Sequence, residues 1–216
     1  MSAASRLALA ILISGRGSNM AAVAHACASG QIAARIVRVI ADRHGAGGLA
    51  LAQKLGLDVN VVPFQEFADR PAFESALGAA IDASGAQLVV LAGFLRILSP
   101  PFAQRYVGAM LNIHPALLPK FPGLHTHERA LQAHESVHGA SVHFVTGELD
   151  AGPVALQAHV PVLAGDTAER LAARVQRQEH IIYPKAIGWM AAGRLHLVGE
   201  VVYFDGRPLS QPLIEA

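Results

Sequence analysis

A chain of 216 residues that is 52% hydrophobic and only 15% charged can bury one full-sized core, or at most two small ones, and is not a disordered tail. With 17 Lys+Arg against 16 Asp+Glu, its formal charge of +1 lacks the basic excess of a protein that binds nucleic acid through many phosphate contacts. The single cysteine, Cys27, excludes an internal disulfide and a Cys-based zinc site, and fits a reducing compartment.

Arg6 followed by the apolar run from Leu7 to Ile13 superficially resembles a secretory signal. The run is only seven residues, and the polar turn Ser14-Gly-Arg-Gly-Ser-Asn19 follows at once, so it reads as a buried first strand entering a loop. No segment approaches the roughly 18 apolar residues of a membrane span, and the expectation is a soluble, cytoplasmic protein with no membrane partner. Further strands are expected at Ile36 to Ile40, Val59 to Val62 and Leu88 to Ala92. All are nearly continuous in apolar residues, as strands covered on both faces should be. Between them fall helices: one with Met20, Val23, Ala24 and Cys27, where the cysteine acts as a small buried hydrophobe; one with Leu49, Ala52 and Leu55; and one with Pro71 in its first turn and Phe73, Leu77 and Ile81 before Gly85. This alternation predicts βα units on a parallel sheet. After Ser99-Pro-Pro101, read as a turn, strands are expected at Ala109 to Ile113, Ser141 to Val145 and Val154 to Val160, around a Pro/Gly/His-rich stretch from Pro115 to Gly139. A last long helix is expected to open at Asp166, with Glu169 completing an Asp-started capping box and Leu171, Val175 and Ile182 on one face. No repeat or linker divides the chain, so one α/β domain is expected.

Three stretches could carry chemistry. The Ser14–Asn19 loop lies between a strand and a helix, where glycines allow close backbone approach and free N–H groups attract an anion such as phosphate. It is only a partial dinucleotide fingerprint; Asp42 after the second strand could serve as the ribose acid of a nicotinamide site, which keeps that reading open. In Leu111-Asn-Ile-His-Pro115, strand alternation puts Asn112 and His114 on one face, and an amide donor beside an imidazole suits a developing oxyanion. Glu148-Leu-Asp150 supplies carboxylates in a Gly/Pro-bounded connection; an acid reaching His114 would raise its pKa from about 6.5 towards or above neutrality. The clustered His125, His127, His134, His138 and His143 leave a metal site as an alternative, without a zinc-protease motif.

Taken together, Ser14-Gly-Arg-Gly-Ser-Asn19, Leu91-Ala-Gly-Phe-Leu-Arg-Ile-Leu98, Leu111-Asn-Ile-His-Pro-Ala-Leu-Leu-Pro119, His138-Gly-Ala-Ser-Val-His143 and Glu148-Leu-Asp-Ala-Gly-Pro-Val154 resemble the glycinamide ribonucleotide (phosphoribosylglycinamide) formyltransferases across almost the whole chain. The Asn-x-His-Pro segment is shared with the wider family of folate-dependent formyltransferases and formyl hydrolases. The glycine loop and the length point to the purine enzyme.

The resemblance implies a Rossmann-like formyltransferase fold, with a predominantly parallel central sheet and helices on both faces. It implies one domain over residues 1–216, with a nucleotide- and phosphate-binding half to about 100 and a catalytic and folate-binding half from about 101. The activity implied is transfer of the formyl group of 10-formyltetrahydrofolate, a co-substrate, to the amine of glycinamide ribonucleotide in purine synthesis. No metal is needed, the partners are these small molecules, and the assembly is a monomer or homodimer. Asn112, His114 and Asp150 match the catalytic trio; Gly17, Ser18, Asn19, Gln176 and Glu179 match nucleotide contacts; Arg70, Leu95, Arg96, Ile97 and Leu98 match folate contacts. Three positions depart from the pattern. Arg16 is charged where a small or neutral residue is common, Leu95 replaces a Met, and Gly147 replaces an acid found in some relatives, which predicts a looser Asp150 loop. A formyl hydrolase using water as acceptor and a nucleotide-binding module without turnover stay open beside this reading.

Overall fold

A computed structural model describes residues 6–215. Strand β1 (Leu7–Ile13) enters the middle of an eight-stranded sheet, and its alternating side chains serve two cores. Leu9, Ile11 and Ile13 face one, Ala10 and Leu12 the other, which is why the run is apolar throughout. Helix α1 (Ser18–Ala28) follows, then β2 (Ala34–Ala41), α2 (Gly47–Lys54), β3 (Val59–Val61), α3 (Arg70–Ala83) and β4 (Leu88–Leu91). Each of the three helices is followed by a glycine with positive φ, at Gly30, Gly56 and Gly85. Asp69 caps α3, accepting the Ala72 amide at 2.8 Å, with Pro71 in the first turn. Cys27 is buried as expected, and burial pushes its thiol up to about 11, the Arg6 charge acting the other way.

The second half departs from the expected pattern in several places. Ser99-Pro-Pro101 is a helix start rather than a plain turn. Ser99 caps α4 (Pro100–Arg105), and both prolines occupy its first turn, where a missing N–H costs nothing. Strand β5 (Met110–His114) ends at Pro115, and the stretch after it contains a short helix α5 (Thr126–Gln132). Strands β6 (Val137–Phe144) and β7 (Val154–Pro161) are antiparallel to their neighbours, β6 to β5 and β7 to β6. The long helix α6 (Ala168–Ala191) is capped one residue later than expected: Thr167 accepts the Arg170 amide at 3.3 Å, while Asp166 accepts the Leu163 amide and pairs with Arg174. Two segments gave no clear sequence signal. Strands β8 (Leu195–Val198), β9 (Val201–Phe204) and β10 (Arg207–Pro208) form a small antiparallel sheet, and β11 (Leu213–Glu215) adds an edge parallel to β7.

The main sheet runs β11-β7-β6-β5-β4-β1-β2-β3 and is parallel at five of its seven junctions, with α1, α2 and α6 over one face and α3 and α4 over the other. This is the α/β class expected. Chain order reverses at β1, whose neighbours are β2 and β4, so the loops leaving β1 and β4 diverge and open a crevice at their C-terminal ends. No helix among the described residues is long and apolar enough to cross a membrane.

Candidate active site

Asn112 and His114 leave β5 on the side opposite the buried Ile113, as alternation requires, and both line a cleft at the C-terminal edge of the sheet. Asp150 lies beyond β6 in a left-handed turn, φ 51°, and its carboxylate comes back to the same point. Its Oδ2 accepts the Gly123 amide at 2.8 Å and stands 3.3 Å from His114 Nδ1. Burial alone would raise the Asp150 pKa, but the Gly123 amide and the neighbouring His114 hold it below the usual carboxylate value.

His114 runs against expectation. The acid does reach it, yet burial outweighs the Asp150 charge and the Phe121 carbonyl, and the ring's pKa is lowered from 6.5 rather than raised. The side chain is only 6% exposed. Both of its nitrogens face acceptors, Nδ1 the Asp150 carboxylate and Nε2 the Phe121 carbonyl at 2.9 Å. A neutral ring can satisfy only one of them, whereas the imidazolium satisfies both.

The residue that ties the group together is His143, which the sequence placed in the histidine cluster and at the end of the His138–His143 motif without giving it a role. It sits directly across the antiparallel pair from Asn112. Its Nδ1 donates to the Phe144 carbonyl at 3.0 Å, which leaves Nε2 as an acceptor for the Asn112 amide at 3.1 Å, 3.7 Å from Asp150 Oδ1. One Asn112 N–H is thereby fixed and the other remains for a ligand. The signal was present in principle: Asn112 and His143 share a face if β5 and β6 are paired antiparallel, but that pairing is tertiary.

The other histidines take separate positions. His127 Nδ1 and His138 Nε2 are 3.2 Å apart, and His125 is largely exposed beside Glu128. No group of three or more His, Cys, Asp or Glu among the described residues is arranged to hold a metal ion. Asp42, considered above for a nicotinamide ribose, has a carboxylate only 1% exposed and paired to Arg96 at 2.5 Å, so it is not free for that task.

On the other side of the crevice the glycine loop enters α1 through Gly17, φ 78°, where an added Cβ would lie 2.8 Å from the Gly48 Cα. Both close packing and conformation therefore demand glycine. Helix α1 has no side-chain cap, leaving its first amides free. Asn19 Nδ2 donates to Glu179 Oε2 at 2.8 Å, and Gln176 Nε2 donates to Ser18 Oγ at 3.0 Å, so these four residues are brought together from distant parts of the chain. Burial raises the Glu179 pKa, with the Asn19 hydrogen bond acting against it, and Asn19 Oδ1 is buried with no partner. Tyr183, two turns further along α6 than Gln176, puts its hydroxyl 2.9 Å from both the Leu91 carbonyl at the end of β4 and the Leu111 carbonyl on the adjacent β5.

The segment 93–98 forms one wall of the cleft, with Leu95, Arg96 and Ile97 facing Asn112, His114 and Asp150, and Leu98 deeper. Leu95, Ile97, Leu124 and Leu149 give the rim four exposed apolar side chains, an arrangement that suits a flat apolar ligand. Arg70 is exposed at the first residue of α3 and does not line this cleft. Gly147 packs against Pro100, whose Cβ would stand 2.7 Å from an added methyl. Close packing, rather than looseness, is what glycine provides there.

A formyl transferase family model matches residues 7–187. The chain belongs to the formyl transferase family. It is 48% identical to the phosphoribosylglycinamide formyltransferase of Escherichia coli over 201 residues, covering 93% of this chain and 95% of that one. It superposes on the phosphoribosylglycinamide formyltransferase of Coxiella burnetii with a TM-score of 0.92 at 46% identity, over 96% and 99% of the two chains. The formyltetrahydrofolate deformylase of Burkholderia mallei also matches, with a TM-score of 0.84 at 28% identity, over 93% of this chain and 70% of that one. The two phosphoribosylglycinamide formyltransferases are thus matched over nearly their full length, and the deformylase over part of its own.

Proposed function

We propose that this formyl transferase moves the formyl group of 10-formyltetrahydrofolate to the primary amine of glycinamide ribonucleotide. The observation that carries this reading is the convergence of Asn112, His114 and Asp150 beside an apolar-rimmed cleft, with a second polar cluster at the start of α1. The nucleotide phosphate would take the free amides around Gly17, Ser18 and Asn19, with Gln176 behind them. Glu179 would accept from ribose hydroxyls, for which a carboxylate has spare capacity. The folate ring would lie against Leu95 to Leu98, and Arg70 would pair with the glutamyl tail from outside the cleft.

The amine attacks the formyl carbon, the carbonyl electrons move to oxygen, and a tetrahedral oxyanion forms. In our reading the free Asn112 N–H donates to that oxygen. His114, held at Nδ1 by Asp150, turns its Nε2–H from the Phe121 carbonyl to the same oxygen. Collapse breaks the bond from the formyl carbon to the folate nitrogen, and the proton lost by the amine goes to that nitrogen. Donors aimed at a developing oxyanion in a water-poor cleft act with little reorganisation.

The deciding experiment incubates the purified protein with 10-formyltetrahydrofolate, with and without glycinamide ribonucleotide, and follows both products. Transfer that depends on the nucleotide is expected. Deformylation without the nucleotide would select a hydrolase, and no turnover by folded protein would leave only a binding role.

The pH dependence has a defined sign. His114 must be protonated, so kcat/KM falls as pH rises through its pKa, and burial places that limb below the ordinary 6.5 in the free enzyme. Asp150 raises the ring's pKa, so Asp150→Asn should move the limb to still lower pH. A pH profile with the limb unmoved in Asp150→Asn would count against the pairing.

A further inference from the structure

The segment 93–98 has no regular secondary structure, yet it forms the cleft wall, and its position must come from elsewhere. Asp42, just past β2, supplies part of it. Its Oδ2 accepts Arg96 Nε, while the Arg96 guanidinium lies 4.3 Å from the centre of the Phe64 ring. Phe64 is itself placed by Asp42, whose backbone carbonyl accepts the Phe64 amide at 2.9 Å. One residue therefore fixes both the edge and the face of Arg96.

Ser14, the residue that opens the glycine loop, holds the same segment from the β1 side. Its amide donates to the Gly93 carbonyl at 3.0 Å, and its hydroxyl accepts the Leu95 amide at 2.9 Å. Arg43, next to Asp42, donates to the Ser14 carbonyl at 2.7 Å. Asp42 and Arg43 thus reach both sides of the crevice, the cleft wall through Arg96 and the glycine loop through Ser14.

Asp42 Oδ1 is buried with no hydrogen-bond partner. Such a carboxylate is a poor source of stability, because desolvation offsets its attraction to Arg96, and the attested use of buried ion pairs is to specify one geometry. We propose that Asp42 is a positioning residue, which through Arg96 sets the folate-facing wall in register with the glycine loop. This rests on the folate reading of the cleft given above.

The test measures binding of 5-formyltetrahydrofolate by calorimetry, and KM for each substrate with kcat, in the wild type, Asp42→Asn, Arg96→Gln and the double variant, with thermal unfolding alongside. Asp42→Asn is expected to weaken folate binding and raise the folate KM about tenfold, with the nucleotide KM unchanged, and the double variant to be no weaker than Arg96→Gln. Folded Asp42→Asn that binds folate like the wild type overturns the proposal. Equal loss for both substrates also overturns it, since that marks general loosening. Should Asp42→Asn not fold, Arg96→Gln breaks the pair from its solvent side, and unaltered folate binding there overturns it as well. A wild type that binds the folate without transferring its formyl group removes the proposed function but leaves this inference open to the same binding comparison. A wild type that does not bind folate removes both.

Discussion

Asn112→Ala is expected to lower kcat for formyl transfer about 10²- to 10³-fold, the usual cost of removing one oxyanion donor. Of the two Asn112 N–H groups, His143 Nε2 takes one at 3.1 Å, and the other has no protein partner among the described residues on a side chain that lines the cleft. Alanine removes the donor without disturbing the strand, whose neighbours Leu111 and Ile113 stay buried. Substrate affinities should change far less than turnover, because the lost bond forms mainly as charge develops on oxygen. Steady-state kinetics on the variant, with a denaturation curve to confirm folding, make the check, and near-wild-type turnover would refute the assignment of Asn112.

The second large effect is on stability. His138 is 1% exposed, stands 3.2 Å from His127, and burial followed by the His127 charge lowers its pKa from 6.5 to about 4. Between these values the unfolded chain binds a proton that the folded protein refuses, so stability falls as pH drops from 6.5 to 4 and levels off below. His138 alone is expected to contribute roughly 3 kcal/mol over that window. His127 and His114 are shifted in the same direction, while Glu179, raised by burial, acts against them. Urea midpoints measured from pH 7.5 down to 4 should therefore decline in the wild type and decline less in His138→Gln. The same slope in both proteins would remove His138 as the origin.

The departures from the sequence reading share a physical cause. A single charge partner predicts a raised His114 pKa, and that partner is present at 3.3 Å. The burial that outweighs it depends on segments distant in sequence, among them the turn that carries Asp150, and no local pattern reports their closeness. Asp166 had the right residue type for a cap, but Arg174 two turns along the helix takes its carboxylate, and Thr167 caps instead. Strand β6 has Gly139 where an added Cβ would lie 1.9 Å from the Ala158 carbonyl, a constraint that exists only once β7 is beside it.

By itself the sequence determined the α/β class, the first four strands and three helices, and the residue types at the site. Apolar runs, helical spacing and the Asn-x-His-Pro alternation are local properties with fixed periods. Only the tertiary structure decided what those residues touch. It set His143 between Asn112 and Asp150, took Asp42 away from any ribose and gave it to Arg96, and closed Asn19 on Glu179 across 160 positions of chain. Strand pairing and burial depend on contacts between distant segments, and it is these that orient the groups in the cleft and shift the titration of His114 and Asp150.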